Sequence, residues 1–305
     1  MQFESSRDRE AEHDLLERQD KESDPGSSDG AKSNGGSEGP QVGTRYSAEE
    51  IHENILKEAD SELVRPVSEL LLSGLASGLS IGFCFLAVAL VRSRMAPENH
   101  AIAAALGYPL GFIFVVLARH QLFTENTLEP VIPLHERRDR ESFRKVLRLW
   151  GLVLVSNLIG ASIFAFVIAR TRALDPSLDG TLLDVAREGT AGAALLLLYK
   201  GIWAGWLVAL MAWLLASTRE TVAQILLVWL TTAPIAAFGF KHSIAGATEA
   251  FYRAWLGDAR WGEMLGSFEL PALIGNIIGG VVLVALVNHG QAGSKAKSKL
   301  ITESQ

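Results

Sequence analysis

Leu122-Phe123-Thr124-Glu125-Asn126-Thr127 and Phe240-Lys241-His242-Ser243 set polar and ionisable residues inside two otherwise apolar, membrane-length stretches. Each is followed downstream by a near-copied phrase, Ser156-Asn157-Leu158-Ile159-Gly160 in the first half and Gly275-Asn276-Ile277-Ile278-Gly279 in the second. Asn157 and Asn276 stand 119 positions apart, and the same offset carries Thr124 onto Ser243. Irregular backbone survives at membrane depth only where it is buried in protein or lines a wet cavity, because lipid offers no hydrogen bonds. Paired broken helices in corresponding positions of two halves point to a binding site or pore near the bilayer midplane. The expectation is a channel or transporter and not an enzyme.

Working outward, runs of roughly 20 apolar residues, enough to cross about 30 Å of hydrocarbon, recur over 66–91, 101–134, 149–169, 191–216, 222–255 and 270–288. The second and fifth exceed one crossing yet are too short for two helices and a turn. Each reads as two half-helices joined by irregular chain. Three spans per half is an odd number, so the second half must run inverted relative to the first. The predicted fold is an all-α membrane protein: six transmembrane helices in two inverted three-helix repeats, the second and fifth helices broken. Gly74, Gly78 and Gly82 in the first span, with Gly201 and Gly205 in the fourth, recur every four residues and suit close helix approach in lipid.

A net charge of -6 and a mean hydropathy of +0.21 would also suit a soluble protein, but a polar tail is diluting an apolar body. Residues 1–45 are rich in Asp, Glu, Ser and Gly and cannot bury enough surface to offset their ordering entropy, so a disordered acidic tail is expected. It lacks the basic and apolar regions of a signal peptide. Ser47 with Glu50 forms a capping-box pattern, and Ile51, Ile55, Ala59 and Leu63 mark one face of a helix over 46–65. The channel domain is expected over 66–290 and a C-terminal tail over 291–305. Arg137, Arg138, Arg140, Arg144, Lys145 and Arg148 follow the second span, and Lys295, Lys297 and Lys299 follow the sixth. By the positive-inside rule both termini, and the amphipathic helix with them, are cytoplasmic. The single cysteine, Cys84, excludes an internal disulfide and a multi-cysteine metal site. No phosphate loop or metal-ligand motif occurs, so neither cofactor nor metal nor nucleic-acid partner is expected.

Leu122-Phe123-Thr124, Phe240-Lys241-His242-Ser243-Ile244 and the two Asn phrases together resemble the formate/nitrite transporter family, with the likeness running from about Pro66 to Asn288. The resemblance implies an aquaporin-like fold, a homopentamer with one pore per subunit, passage of small monovalent anions such as formate, nitrite or hydrosulfide, and a place in a bacterial inner membrane. His242 matches the family's central pore histidine, Thr124 the threonine of its flexible loop, and Leu122 the constriction-forming leucine. The chain departs from the usual pattern at Lys241, where an acidic residue is common, at Arg119-His120-Gln121, and at Gly205, where an asparagine is common.

An anion at the midplane must exchange its water shell for donors or positive potential, or cross as the neutral acid. Half-helix N-termini present free N–H groups and partial positive charge. Thr124 and Ser243 would add hydroxyls, His242 a titratable donor, and Lys241 either a second cation in the passage or a partner for Glu249. Leu122, Phe123 and Phe112 are candidate apolar gates. Asn157, Asn276, Gly201 and Gly205 are read as repeat-motif packing, and Arg119 with Glu125 as a structural clasp. Three competing readings are an intramembrane enzyme built on His242 and Glu249, a water or neutral-solute channel, and a transport-inactive membrane scaffold.

Overall fold

The computed structural model describes residues 46–171, 173–284 and 286. The expected tails at 1–45 and 291–305 lie outside the described residues. What is described is helical, with no strand among those residues.

Helix α1 (Ala48–Leu63) opens on Ser47, whose hydroxyl accepts from Glu50 N while Glu50 returns a carboxylate to Ser47 N. It buries His52, Ile55, Ala59 and Leu63. Asn54 donates to Ala216 O, and the His52–Glu136 hydrogen bond and the Arg137–Asp60 ion pair tie the helix to the segment after the first break. Next come α2 (Val67–Arg92), α3 (His100–Gly107), α4 (Pro109–Leu117), α5 (Val131–Arg137) and α6 (Arg140–Arg170). The second half holds α7 (Asp179–Thr190), α8 (Ala194–Leu215), α9 (Thr221–Ala237), α10 (Ser243–Leu256) and α11 (Trp261–Val284).

By length and composition, five helical runs among the described residues can cross a membrane: α2, Pro97–Leu117, α6, α8 and α11. The remaining expected crossing is the broken one, made of the shorter α9 and the 14-residue α10. Two boundaries differ from expectation. Helix α6 begins at Arg140, nine residues before its apolar run, because Asp139 caps it by accepting from Ser142 N and favours the first turn. After the first break there is no proper half-helix, only a 3-10 turn over Glu125–Thr127 and then the seven-residue α5. Pro130 lacks an N–H, and Pro133 allows α5 to start but supplies no ladder donor.

Helix crossings are set by residues without side chains. A Cβ on Gly78 would overlap Asn157 O, and one on Gly205 would overlap the backbone of Asn276. The two repeats therefore cross at the same kind of point, α2 against α6 and α8 against α11. Large apolar side chains face outward as well as inward: Leu195, Trp203, Leu226 and Leu230 are all more than half exposed. Such a surface suits lipid or another subunit, not water.

Candidate functional site

Both breaks are built from the same backbone devices. After α4, Arg119 takes a left-handed conformation (φ 53°) and His120 N donates back to Val115 O at 3.0 Å. After α9, Gly239 does the same (φ 65°) and Phe240 N donates to Ile235 O at 2.8 Å. These are helix ends with a left-handed cap that satisfies an orphan carbonyl. Glycine takes that conformation freely, whereas arginine is strained there.

An asparagine then grips each irregular segment. Asn157 Nδ2 donates to Gly74 O (2.8 Å) and Gln121 O (2.9 Å), while its Oδ1 accepts from Phe123 N (2.9 Å). Asn276 Nδ2 donates to Gly201 O and Lys241 O, and its Oδ1 accepts from Ser243 N, all at 2.8 Å. Two of the three bonds of each amide satisfy backbone groups that the break leaves without helical partners; the third ties the amide to a carbonyl inside α2 or α8. The sequence had assigned both residues to packing; their partners are backbone atoms, which leave no mark in a sequence.

This clamp corrects the repeat register. Asn157 grips Phe123 across 34 positions, whereas Asn276 grips Ser243 across 33. Phe123, not Thr124, is the counterpart of Ser243, and Leu122 is the counterpart of His242. The offset read from the Asn phrases holds for those phrases and slips by one at the breaks.

The two breaks meet. Thr124 Oγ1 lies 2.7 Å from His242 Nε2, both residues almost wholly buried. His242, not Ser243, is the N-cap of α10, its Nδ1 accepting from Ala245 N at 3.1 Å. An acceptor Nδ1 carries no proton, so in the neutral ring Nε2 holds the hydrogen and donates it to Thr124 Oγ1. The Thr124 hydroxyl keeps its own hydrogen to offer elsewhere. Thr124 caps no helix; its carbonyl accepts from Thr127 Oγ1. Phe112 meets the imidazole edge-on, centroids 5.0 Å apart. Leu122 is 1% exposed, and Phe123 turns to an edge contact with Trp150. The midpoint is closed to solvent.

A cavity opens on each side. The first, about 760 Å³, lies under α1 and is lined by Glu58, Glu62, Arg119, Gln121, Glu125 and Arg219 among others. The second, about 250 Å³, reaches His242 and is lined by Arg92, Lys200, Lys241, Glu249 and Phe268. Lys241 borders it, but its ammonium is spent on α7, donating to Glu188 O (3.2 Å) and Gly189 O (2.5 Å) at that helix's C-terminal end. It forms no ion pair with Glu249, whose carboxylate lies against Gly189. Arg119 and Glu125 form no clasp either. Ser243 is buried, yet its Oγ has no protein partner. No group of three metal-binding side chains occurs among the described residues.

Against known proteins, the family model for formate/nitrite transporters matches residues 49–290. The chain is 31% identical to the "Inner membrane protein YfdC" of Escherichia coli K12 over 84% of this chain and 82% of that protein. It is 25% identical to "Formate channel BtFdhC" of Bacillus thuringiensis, over 78% of this chain and 93% of that one. Among solved structures, an "FNT family ion channel" superimposes with a TM-score of 0.67 at 22% identity, covering 80% of this chain and 98% of that one. A "Pentameric formate channel with formate bound" gives 0.62 at 22% identity, over 72% and 95%. The helical architecture with its two facing breaks and the match along most of the chain lead to one conclusion: this is an integral, multi-pass membrane transport protein, not an enzyme, and it belongs to the formate/nitrite transporter family.

Proposed function

We propose that the chain carries small monovalent anions of the formate or nitrite type through a passage in each subunit, with Thr124 and His242 as its gate. One observation carries the reading: the 2.7 Å contact between Thr124 Oγ1 and His242 Nε2, lying buried between two cavities. A relative and a solved neighbour are named formate channels, and the neighbour is described as pentameric; a homopentamer in the bacterial inner membrane, with both termini cytoplasmic, fits that likeness and the basic residues around 137–148.

In this reading an anion from either cavity displaces the Thr124–His242 bond and accepts the freed Nε2–H and the threonine hydroxyl in its place. Two donors replace part of its hydration shell at the narrowest point, where Leu122 and Phe112 keep bulk water out. His242 works here as a hydrogen-bond donor. To carry a second proton it must first release Ala245 N–H from Nδ1, because two N–H groups cannot share that position. Proton transfer to a weak-acid anion is therefore coupled to loosening the first turn of α10. Lys241 acts from behind, as the strut that holds the second break against α7.

The test is a panel of formate, nitrite, hydrosulfide and a neutral solute offered to purified protein in liposomes at two pH values. Saturable flux of at least one anion, lost in His242→Asn, is the expected result. Flux of the neutral solute alone, or of nothing from an intact oligomer, would replace this reading with a solute channel or a scaffold.

A further inference from the structure

Glu269 closes a π-helical turn, Met264–Glu269, within the membrane-length helix α11. Pro271 has no N–H to return to the carbonyl of Ser267, and its ring crowds that carbonyl. Widening the preceding turn is the local response, and such π-turns recur at functional sites. The Glu269 side chain is 4% exposed, and both carboxyl oxygens are sealed from solvent with no hydrogen-bond partner. Its neighbour Phe268 lines the second cavity with His242, its ring resting where a side chain on Gly246 would be. Glu269 follows this lining residue directly in the chain and is not itself part of the lining.

None of the cationic and ionisable groups on the elements packed against this turn bonds to Glu269. On α10, His242 bonds to Thr124 and Ala245, Glu249 lies against Gly189, and Arg253 binds Asp258 and Thr190. On α8, Lys200 lines the second cavity near Gly239 and Tyr199 is exposed. On α11 itself, Glu263 is exposed. A carboxylate inside the span with no counter-charge and no donor is costly. A carboxylic acid with its hydrogen in place carries no net charge and needs no ion partner.

We propose that Glu269 is a proton-binding site inside the span, next in the chain to a wall residue of the second cavity and separate from His242. The proton comes from hydronium in the cavity and returns to water there; only an O–H bond forms and breaks. Movement of the Phe268 ring opens the route. The site requires only that α11 lies in the membrane, so it stands or falls independently of which anion, if any, the chain carries.

The test is infrared spectroscopy of the purified protein in lipid, in water and in deuterium oxide. A carboxylic-acid C=O band should be present in the unaltered protein, absent in Glu269→Gln and retained in His242→Asn. In Phe268→Ala the same band should exchange its hydrogen for deuterium faster. Should Glu269→Gln fail to assemble, Glu269→Leu serves for the same comparison, and its thermal midpoint should equal or exceed that of the unaltered protein. Identical acid C=O regions with and without Glu269, or a carboxylate band lost in their place, would overturn the proposal, as would a Leu variant less stable than its parent. An exchange rate indifferent to Phe268 would overturn the route.

Discussion

The first and second breaks share a clamp and differ in what they hold. In both, a left-handed residue ends the incoming helix and an asparagine from the third helix of the repeat bonds to three backbone groups. The second break then enters a 14-residue helix capped by a histidine, whereas the first enters a 3-10 turn with no side-chain cap. Where the second presents His242 to the midpoint, the first presents Thr124. The repeated part of each break is the part that solves the membrane's hydrogen-bond problem; the unrepeated part is where chemistry resides. A scaffold duplicated in this way can keep both breaks open while only one presents a histidine to the midpoint.

The largest expected effect tests the clamp. Asn276→Ala leaves Ser243 N and Lys241 O unsatisfied, at about 1–3 kcal/mol for each buried group, and breaks the tie to Gly201 O inside α8. Asn157→Ala does the same to Phe123 N and Gln121 O, and breaks the tie to Gly74 O inside α2. Both variants should lose the folded oligomer, or most of its thermal stability, in detergent, and to a similar extent. A harmless substitution at one site and a ruinous one at the other would end the equivalence of the two breaks.

A smaller effect separates them. Lys241 braces only the second break, so Lys241→Met should lower stability by about 1.5–3 kcal/mol, the usual value of charge-assisted hydrogen bonds, and should slow anion flux by loosening His242. Gln121, its counterpart, forms no such strut to a distant helix, and Gln121→Met should cost less. Thermal unfolding and liposome flux on the pair would show whether the strut is peculiar to the second break.

The C-terminal end of α10 adds a pH dependence to the second break. Asp258 lies outside the spans, and its hydrogen bonds to Arg187 and then Arg253 hold its carboxyl below the usual aspartate range. A depressed carboxyl stabilises the fold above its unfolded value of about 3.9 and loses that contribution as pH falls through the lower folded value. Acid-induced loosening of α10 below about pH 4 should therefore be muted in Asp258→Asn, which has no charge left to lose. Hydrogen exchange over 243–258 in the two proteins would report it.

The smallest effect makes the breaks more alike. Arg119 holds a left-handed conformation that Gly239 adopts without strain. Arg119→Gly should relieve about 1 kcal/mol and raise the thermal midpoint slightly, whereas Gly239→Arg should lower it.

Much of this site was visible in the chain. Polar residues in the middle of membrane-length apolar runs marked both breaks, and Thr124 and His242 do meet. The Asn phrases give a register one residue off at the breaks, because the connection back to the break is one residue longer in the first half. The asparagine clamps escaped notice because backbone acceptors and donors exist at every position. The reach of Lys241 to α7 was equally invisible, since four methylenes permit many directions. The half-helix expected after Thr124 failed against Pro130 and Pro133, which were present in the sequence but outweighed by its apolar run.

The central claim, that the two breaks act as one gate through a single contact, is tested most directly by a double-mutant cycle on nitrite flux in liposomes. Thr124→Val and His242→Asn each remove one side of the 2.7 Å bond, and Asn remains an able helix cap. The account predicts strong non-additivity, with either change alone slowing flux nearly as much as both together. Two independent, additive losses, or flux untouched by either change, would contradict it.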